Sequence, residues 1–356
     1  MKLRQLDIKC FKSIDGEQGA SVPFGDVTVL LGANGSGKSN LLSFFYMLQA
    51  IARQELPQFV GRYGANRLLF YGSKKTQFIS YTLIFDNGDE TYLHTDCLLY
   101  QLPDGLFIKS KTIHNPTRDE FKKAIFDEKI RIDTYEFLSN VSIYQFNDTS
   151  DSSKIKDRSY VDDAKTLHND GGNLAAFLRM LKKHPEYNRY YQRIIQHIQR
   201  VMPQFGDFDL DSIPGAENYV RLNWKDASGS HYLFDPHQLS DGTLRFMALT
   251  TLLLQPPELL PRFIILDEPE LGLHPAAIAE LSGMVKMAAA HSQVLLATQS
   301  TRLVDEFEAE NVVVVERDEQ RNCSVFKKLD AEALADWLSR YSLSELWEKN
   351  VLGGQP

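Results

Sequence analysis

The chain has 356 residues, 43% apolar and 24% charged, with a net charge of −8; it is long enough for one large lobed domain or two domains, and that charge excludes a surface that coats nucleic acid all over, though not a local basic groove. Cys10, Cys97 and Cys323 are far apart, fit neither a disulfide framework nor a metal-ligand spacing, and point to a reducing, cytoplasmic compartment. The start MKLRQLDIKCFKS has no apolar signal-peptide core, and the longest apolar run, Phe246 to Leu254, is too short to cross a bilayer, so no membrane partner is expected.

Residues 3–10 place Leu3, Leu6 and Ile8 among polar neighbours and predict a strand. VTVLLG reads as a buried strand entering a glycine-rich loop, and Lys38 to about Arg53 as a helix. Residues 56–75, with three glycines, read as irregular. QFISYTLIF and TYLHTDCLLY predict a hairpin turning at Asn87-Gly88, and LPDGLFIKSKTI extends its sheet. Residues 117–138 read as helical, VSIYQF as a short strand and NDTSDSSKIKDRS as a polar loop. A helical stretch from Gly171 to Met202 is interrupted at Pro185; within it Arg179, Lys182, Lys183, Arg189, Arg193 and Arg200 surround Tyr187, Tyr190 and Tyr191. A solvated helix with inward aromatics explains this pattern better than a docking surface. A second hairpin is expected around Ser228-Gly229. After LSDGT come a helix, RFIILDEPELGLHP, a helix to about His291, QVLLATQS, another helix and two strands; LADWLSRYSLSELWEKN closes as an amphipathic helix. Buried strands alternating with helices at both ends predict an α/β fold.

Two strings carry chemistry. GANGSGKS, Gly32 to Ser39, fits G-x-x-x-x-G-K-[ST] with a strand before it and a helix after. Gly32, Gly35 and Gly37 let backbone N–H groups curl round phosphate oxygens, with Asn34, Ser36 and Asn40 in or beside the loop. Lys38 brings an ammonium to the outer phosphates, and Ser39 a hydroxyl to Mg²⁺. In FIILDEPE, a buried strand delivers Asp267 and Glu268 at its C-terminal edge; Asp267 suits the Mg²⁺ shell and Glu268 suits a general base acting on water.

Three further strings go beyond a minimal P-loop protein: LSDGT about two dozen residues before the Asp-Glu pair, PELGLHP directly after it, and LLATQS on the next strand. Together with the opening LRQLDIKCFKSI they resemble the ABC-type ATPases, and more closely their RecF/SMC-like branch. YQFNDTS, LSDGTLRF, DEPELGLHP and SLSELWEKNVLGG are similar to a bacterial subgroup of small stand-alone AAA-family ATPases, so the resemblance runs nearly the whole length. It implies an ABC-type P-loop ATPase head with inserted antiparallel β and helical subdomains. The expected layout is an N-terminal core part over 1–55, insertions over 56–235, the rest of the core over 236–330, and a C-terminal helix and tail over 331–356. It implies ATP and Mg²⁺ as ligands and a head-to-tail homodimer with ATP at the interface. Ser240, Asp241, Gly242 and Thr243 match the signature motif that meets the partner's γ-phosphate, and Leu271 to His274, with Gly272, match the D-loop. Lys12 matches a basic residue near the nucleotide. Gln145 and Gln77 are both candidates for the Q-loop glutamine, and Gln145 is the one favoured. Where the family commonly has a switch histidine, this chain has Gln299, which can donate but cannot charge; slow turnover, with ATP as a long-lived clamp, is the expectation.

For biological role the resemblance implies an ATPase that switches a separate effector protein in anti-phage defence or genome maintenance. The alternative is a repair ATPase binding DNA directly, which a steep salt dependence would reveal. A transporter ATP-binding subunit fits the opening strand and Gln299 less well. Neither a Toprim-type acidic cluster nor an H-N-H cluster appears, so chemistry beyond ATP hydrolysis is expected in another polypeptide.

Overall fold

A computed structural model of the protein describes residues 1–86, 92–102, 105–114, 132–229 and 232–354. It divides into two compact units, Met1–Val141 with Ala297–Pro356, and Ser142–Leu296.

The first unit contains a five-stranded antiparallel sheet ordered Ala20–Pro23, Lys2–Lys9, Phe78–Asp86, Tyr92–Leu102, Gly105–His114. Leu3, Leu6 and Ile8 are all buried; their uneven spacing is reconciled by a register shift between Leu3 and Gln5, one extra residue that returns Leu6 to the inner face. The pairing Asp86↔Tyr92 agrees with the expected hairpin, whose Asn87-Gly88 turn lies outside the described residues. So does most of the helix expected over 117–138, of which 132–138 is helical.

Also in this unit, Val27–Leu31 runs parallel to Val312–Asp318, which pairs antiparallel with Cys323–Lys328. All five residues of Val27–Leu31 are buried, which is why that strand reads as a continuous apolar run rather than an alternation. Helix Lys38–Ala52 follows the glycine loop. Its Phe44 ring meets Phe11 and Tyr81 edge-on at 5.0 and 5.3 Å.

Two expectations are corrected here. Residues 56–75 are not irregular throughout: Leu56–Tyr63 and Ala65–Leu68 are helices. Pro57 occupies the first turn, where it sacrifices no helical hydrogen bond, and Leu56 and Val60 bury one face. Gly64, at φ 82°, ends the first helix. The closing segment is two helices rather than one, Ala335–Leu338 and Leu343–Glu348. Ser342 and Glu345 form a reciprocal capping box that starts a new helix inside the amphipathic pattern. Leu343, Leu346 and Trp347 are buried, whereas Trp337 is exposed.

In the second unit Phe263–Asp267 lies between Gln293–Thr298 and Val141–Tyr144, the outer two strands reaching the unit's boundaries. Helices Leu174–Lys183, Asn188–Val201, Asp241–Leu254 and Pro275–Ala288 pack together, and Pro185 falls in the gap between the first two. Tyr191 is fully buried, its hydroxyl donating to Asp207 at 2.5 Å. Arg189 and Arg193 are exposed and lie over the Tyr190 ring. The expected solvated face thus holds for Arg189 and Arg193, but of the tyrosines only Tyr191 is interior; Tyr187 and Tyr190 are half-buried. The second expected hairpin, around Ser228-Gly229, is seen as one antiparallel bridge, Trp224↔Phe234, with residues 230–231 of its second arm outside the described residues. Asn223–Asp226 pairs chiefly with Phe205–Asp209, and Trp224 exchanges only one pair of backbone hydrogen bonds with Phe234.

Candidate active site

The residues singled out by sequence divide between the units. Lys12, the loop Gly32–Asn40 and Gln299 belong to the first; Gln145, Ser240–Thr243, Asp267, Glu268 and Leu271–His274 belong to the second.

The loop Gly32–Ser39 turns between Val27–Leu31 and the helix that starts at Lys38. Its three glycines have different jobs. Gly35, at φ 81°, is exposed and a Cβ there would meet nothing within 4 Å, so only its backbone conformation requires glycine. Gly37 has φ 123° and a Cβ would land on the Ser324 hydroxyl, 2.7 Å from the Ser324 Cβ. A Cβ on Gly32 would strike the Val315 carbonyl. The loop is therefore held from behind by strands Val312–Asp318 and Cys323–Lys328. Ser324 Oγ donates to Ser36 O at 2.5 Å and lies 2.7 Å from Ser13 Oγ, which accepts from Asn40 Nδ2 at 2.7 Å. Lys38 is buried, its ammonium donating to Gly32 O at 2.5 Å and Ala33 O at 3.0 Å. Asn34 and Ser39 are exposed.

Gly37→Ala should raise the dissociation constant for ATP at least about 10-fold and destabilise the chain by roughly 1–3 kcal/mol, because backbone strain and a clash coincide. Equilibrium nucleotide binding and urea unfolding check both. A variant that binds ATP as the parent does would show that the loop can shift off Ser324.

The C-terminal segment supplies a contact that sequence alone did not point to. The Ala33 amide donates to Gly354 O at 3.1 Å, and Gly353 and Gly354 have φ near +78°. A Cβ on Gly354 would meet Val314, Val315 and the Trp347 indole. The Gly-Gly pair thus lets the chain pass flat against the root of the loop.

Beside the loop is a pocket of about 360 Å³, lined by Lys12, Arg67, Phe70, Tyr71, Arg317 and Asn322, with Ser13 and Asn40 on its loop side. Lys12 sits at φ 46° and donates to Ser43 Oγ at 2.6 Å. Burial pulls its ammonium below the usual lysine range. Positive charge, an aromatic wall and hydrogen-bonding groups converge there, which suits an anionic, ring-bearing ligand. Gln299 is exposed at the end of Gln293–Thr298, next to Thr298, whose carbonyl accepts from the Gly32 amide at 3.4 Å.

In the second unit, strand Phe263–Asp267 ends where Glu268 adopts φ 46°. A non-glycine residue in that region costs about 1–2 kcal/mol, a cost met here by a turn in which Leu271 N donates to Glu268 O at 3.1 Å. Gln145 Nε2 donates to Asp267 Oδ2 at 3.1 Å, so of the two candidate glutamines it is Gln145 that touches a candidate metal ligand. Gln77 is exposed in the first unit, just ahead of Phe78–Asp86.

Ser240 caps helix Asp241–Leu254, its Oγ accepting from Thr243 N at 3.2 Å and lying 2.8 Å from Thr243 Oγ1. Ser240 and Asp241 are exposed, as are Leu271, Gly272 and His274. His274 caps the next helix, Nδ1 accepting from Ala276 N at 3.3 Å. A Cβ on Gly242 would strike the Gly272 carbonyl, so the helix start and the 271–274 turn are in backbone contact. Sequence reasoning passed over Arg245 and Lys156. Arg245 is buried against backbone carbonyls of both neighbouring segments. Lys156 is buried with Nζ 3.6 Å from Asp151 and 3.8 Å from Asp241. A basic residue within an otherwise apolar helix run, LRFMALTTLLL, was the available signal for Arg245.

The two candidate metal ligands fall one in each unit, the exposed Ser39 hydroxyl in the first and the Asp267 carboxylate, which accepts from Gln145, in the second; each is an oxygen donor, the type a hard cation such as Mg²⁺ takes. Among the described residues no helix is long and apolar enough to cross a membrane.

Known proteins place the chain by family and by fold. The family model for the AAA domain, putative AbiEii toxin, Type IV TA system, matches residues 27–305. No curated protein matches. Among solved structures, the SMC head bound to the C-terminal winged-helix domain of ScpA aligns with a TM-score of 0.64 at 19% identity, over 94% of this chain and 100% of that one. The SMC head with an extended coiled coil bound to the C-terminal domain of ScpA, from Pyrococcus furiosus, aligns at 0.58 and 17%, over 95% and 98%. The SMC head from Thermotoga maritima aligns at 0.52 and 16%, over 93% and 100%. At these identities the solved structures speak for the fold, while the family match spans most of the chain. The chain belongs to the AAA domain family described as putative AbiEii toxin, Type IV TA system, and has the α/β fold of an SMC-like P-loop ATPase head.

Proposed function

We propose that the protein is a cytoplasmic ATP hydrolase that dimerises around two Mg-ATP molecules and uses that dimer to switch a separate effector protein, in anti-phage defence or genome maintenance. The observation that carries this reading is the helix start Ser240–Thr243, with Ser240 and Asp241 exposed, in backbone contact with the 271–274 turn, where Leu271, Gly272 and His274 are exposed. A capped helix N-terminus presents free amides and a partial positive charge to an anion, and here it stands beside an exposed leucine, Leu271, as an interface requires. In this reading the amides of Gly35 to Ser39 and the Lys38 ammonium hold the phosphates, and Lys12 and its pocket take the nucleoside. Ser39 and Asp267 hold Mg²⁺, which screens phosphate charge. Glu268 accepts a proton from the attacking water. Gln145 reports on Asp267, and Gln299 takes the switch position. Ser240, Gly242, Gly272 and His274 meet the ATP held by the partner copy.

The effector half of the proposal is supported by the family description, which names a toxin of a toxin–antitoxin system, and by an SMC head of similar fold that is bound to a domain of another protein. Light scattering tests the dimer. The Glu268→Gln chain with Mg-ATP should double in mass, while Lys38→Ala with Mg-ATP should not. A Glu268→Gln chain that remains monomeric with saturating ATP overturns the sandwich.

A further inference from the structure

Arg245 lies one turn into the helix capped by Ser240 and is 6% exposed. Its guanidinium donates to three backbone carbonyls: Nε to Phe146 O at 3.0 Å, Nη2 to Asn147 O at 3.4 Å, and Nη1 to Leu271 O. Burying a guanidinium against neutral carbonyls is costly, because the carbonyl dipoles replace only part of its hydration. Burial accordingly pulls its pKa down, with Asp241 acting in the opposite sense. A side chain whose task was packing alone would not need a charge here.

The three carbonyls sit on two separate segments. Phe146 and Asn147 directly follow Gln145, whose amide holds Asp267. Leu271 closes the turn that begins at Glu268. The helix start is also pressed onto this turn by its own backbone, since Gly242 has no room for a Cβ against Gly272 O. The segment after Gln145 reaches the helix start a second time through buried Lys156, whose Nζ is 3.8 Å from Asp241. The planar five-donor fork of arginine can serve three carbonyls at once, which a lysine ammonium on a single stem cannot do with the same geometry.

We infer that Arg245 is a positioning residue: it locks the helix start 240–243, the turn 268–272 and the segment 145–147 into one block, so that a change at Gln145 and Asp267 moves the surface presented to the partner's ATP. This rests on the ATP-clamped dimer proposed above. Without Arg245 each copy still binds ATP, but the groups that act on the partner's nucleotide are no longer held in register with those that sense its own.

The test compares Arg245→Lys and Arg245→Met with the parent chain, each with and without Glu268→Gln. Equilibrium dialysis gives ATP affinity at concentrations where the protein is monomeric, sedimentation gives ATP-dependent dimerisation, and phosphate release gives kcat and KM. The expected result is ATP affinity and KM within about 2-fold of the parent, dimerisation weakened at least about 10-fold and kcat lowered at least about 10-fold. Lysine keeps the charge and the stem, so it covers the case in which the methionine variant unfolds. Dimerisation and kcat within about 2-fold of the parent in Arg245→Lys would overturn the inference, as would a loss of ATP affinity equal to the loss of kcat/KM. Should the Glu268→Gln parent itself stay monomeric, the dimer reading fails first, and the kcat-against-KM split still decides whether Arg245 positions the site.

Discussion

Glu268→Gln should lower steady-state ATP turnover by about 10²–10⁴-fold, the range a general base supplies, while ATP affinity stays within about 2-fold. Glutamine is isosteric and keeps the left-handed backbone at φ 46° at the same cost as glutamate, so the turn to Leu271 should persist. What disappears is the acceptor for the water's proton. Asp267 keeps its hydrogen bond from Gln145, so metal affinity should be spared. The distinguishing comparison is Asp267→Asn, which should weaken Mg²⁺ dependence itself because the carboxylate charge facing the cation is gone. Phosphate release at saturating ATP, together with equilibrium binding, separates the two variants. Turnover within about 3-fold of the parent in Glu268→Gln would remove Glu268 from the base role.

Ser240→Arg should abolish ATP-dependent dimerisation and leave ATP binding at Lys38 within about 2-fold, since in the proposed dimer Ser240 meets the partner copy's ATP and not the one its own chain holds. Loss of the cap to Thr243 N costs on the order of 1 kcal/mol, which the helix can absorb because Leu244 through Leu254 are all buried. The larger effect is steric: a long side chain at the exposed Ser240 would stand in the path of an anion approaching the helix start. Ser240→Ala is the control. It removes the same cap without filling that space, and should weaken dimerisation far less. If Ser240→Arg dimerises with ATP and hydrolyses it as the parent does, the serine is only a helix cap.

Much of this protein is legible in one sequence because its key elements are local. The P-loop needs a strand, glycines that tolerate positive φ, and a lysine opening a helix. All three lie within about a dozen residues, and the structure places Val27–Leu31, Gly35 and Lys38 accordingly. Four apolar residues ending in Asp-Glu likewise read as a buried strand with carboxylates at its edge, and Phe263–Asp267 is that strand. The misreadings are also local in cause. Gly61 and Gly64 obscured the helices over 56–68, although Leu56 and Val60 keep one buried face. Ser342 interrupted the closing helix through a capping box that the apolar pattern alone does not reveal.

What sequence by itself determined was the chemistry: which residue types could meet phosphate, metal and water, and in what order along the chain. The tertiary structure decided which backbone those residues lean on. Gly37 is glycine because Ser324, far along the chain, occupies the space of its Cβ, and Gly242 is glycine because the Gly272 carbonyl does the same. Gly354 meets the Ala33 amide, and Arg245 gathers carbonyls about a hundred residues upstream and some two dozen downstream. Such contacts leave no period or motif in the chain, because close packing constrains volume at a point in space rather than spacing along the sequence.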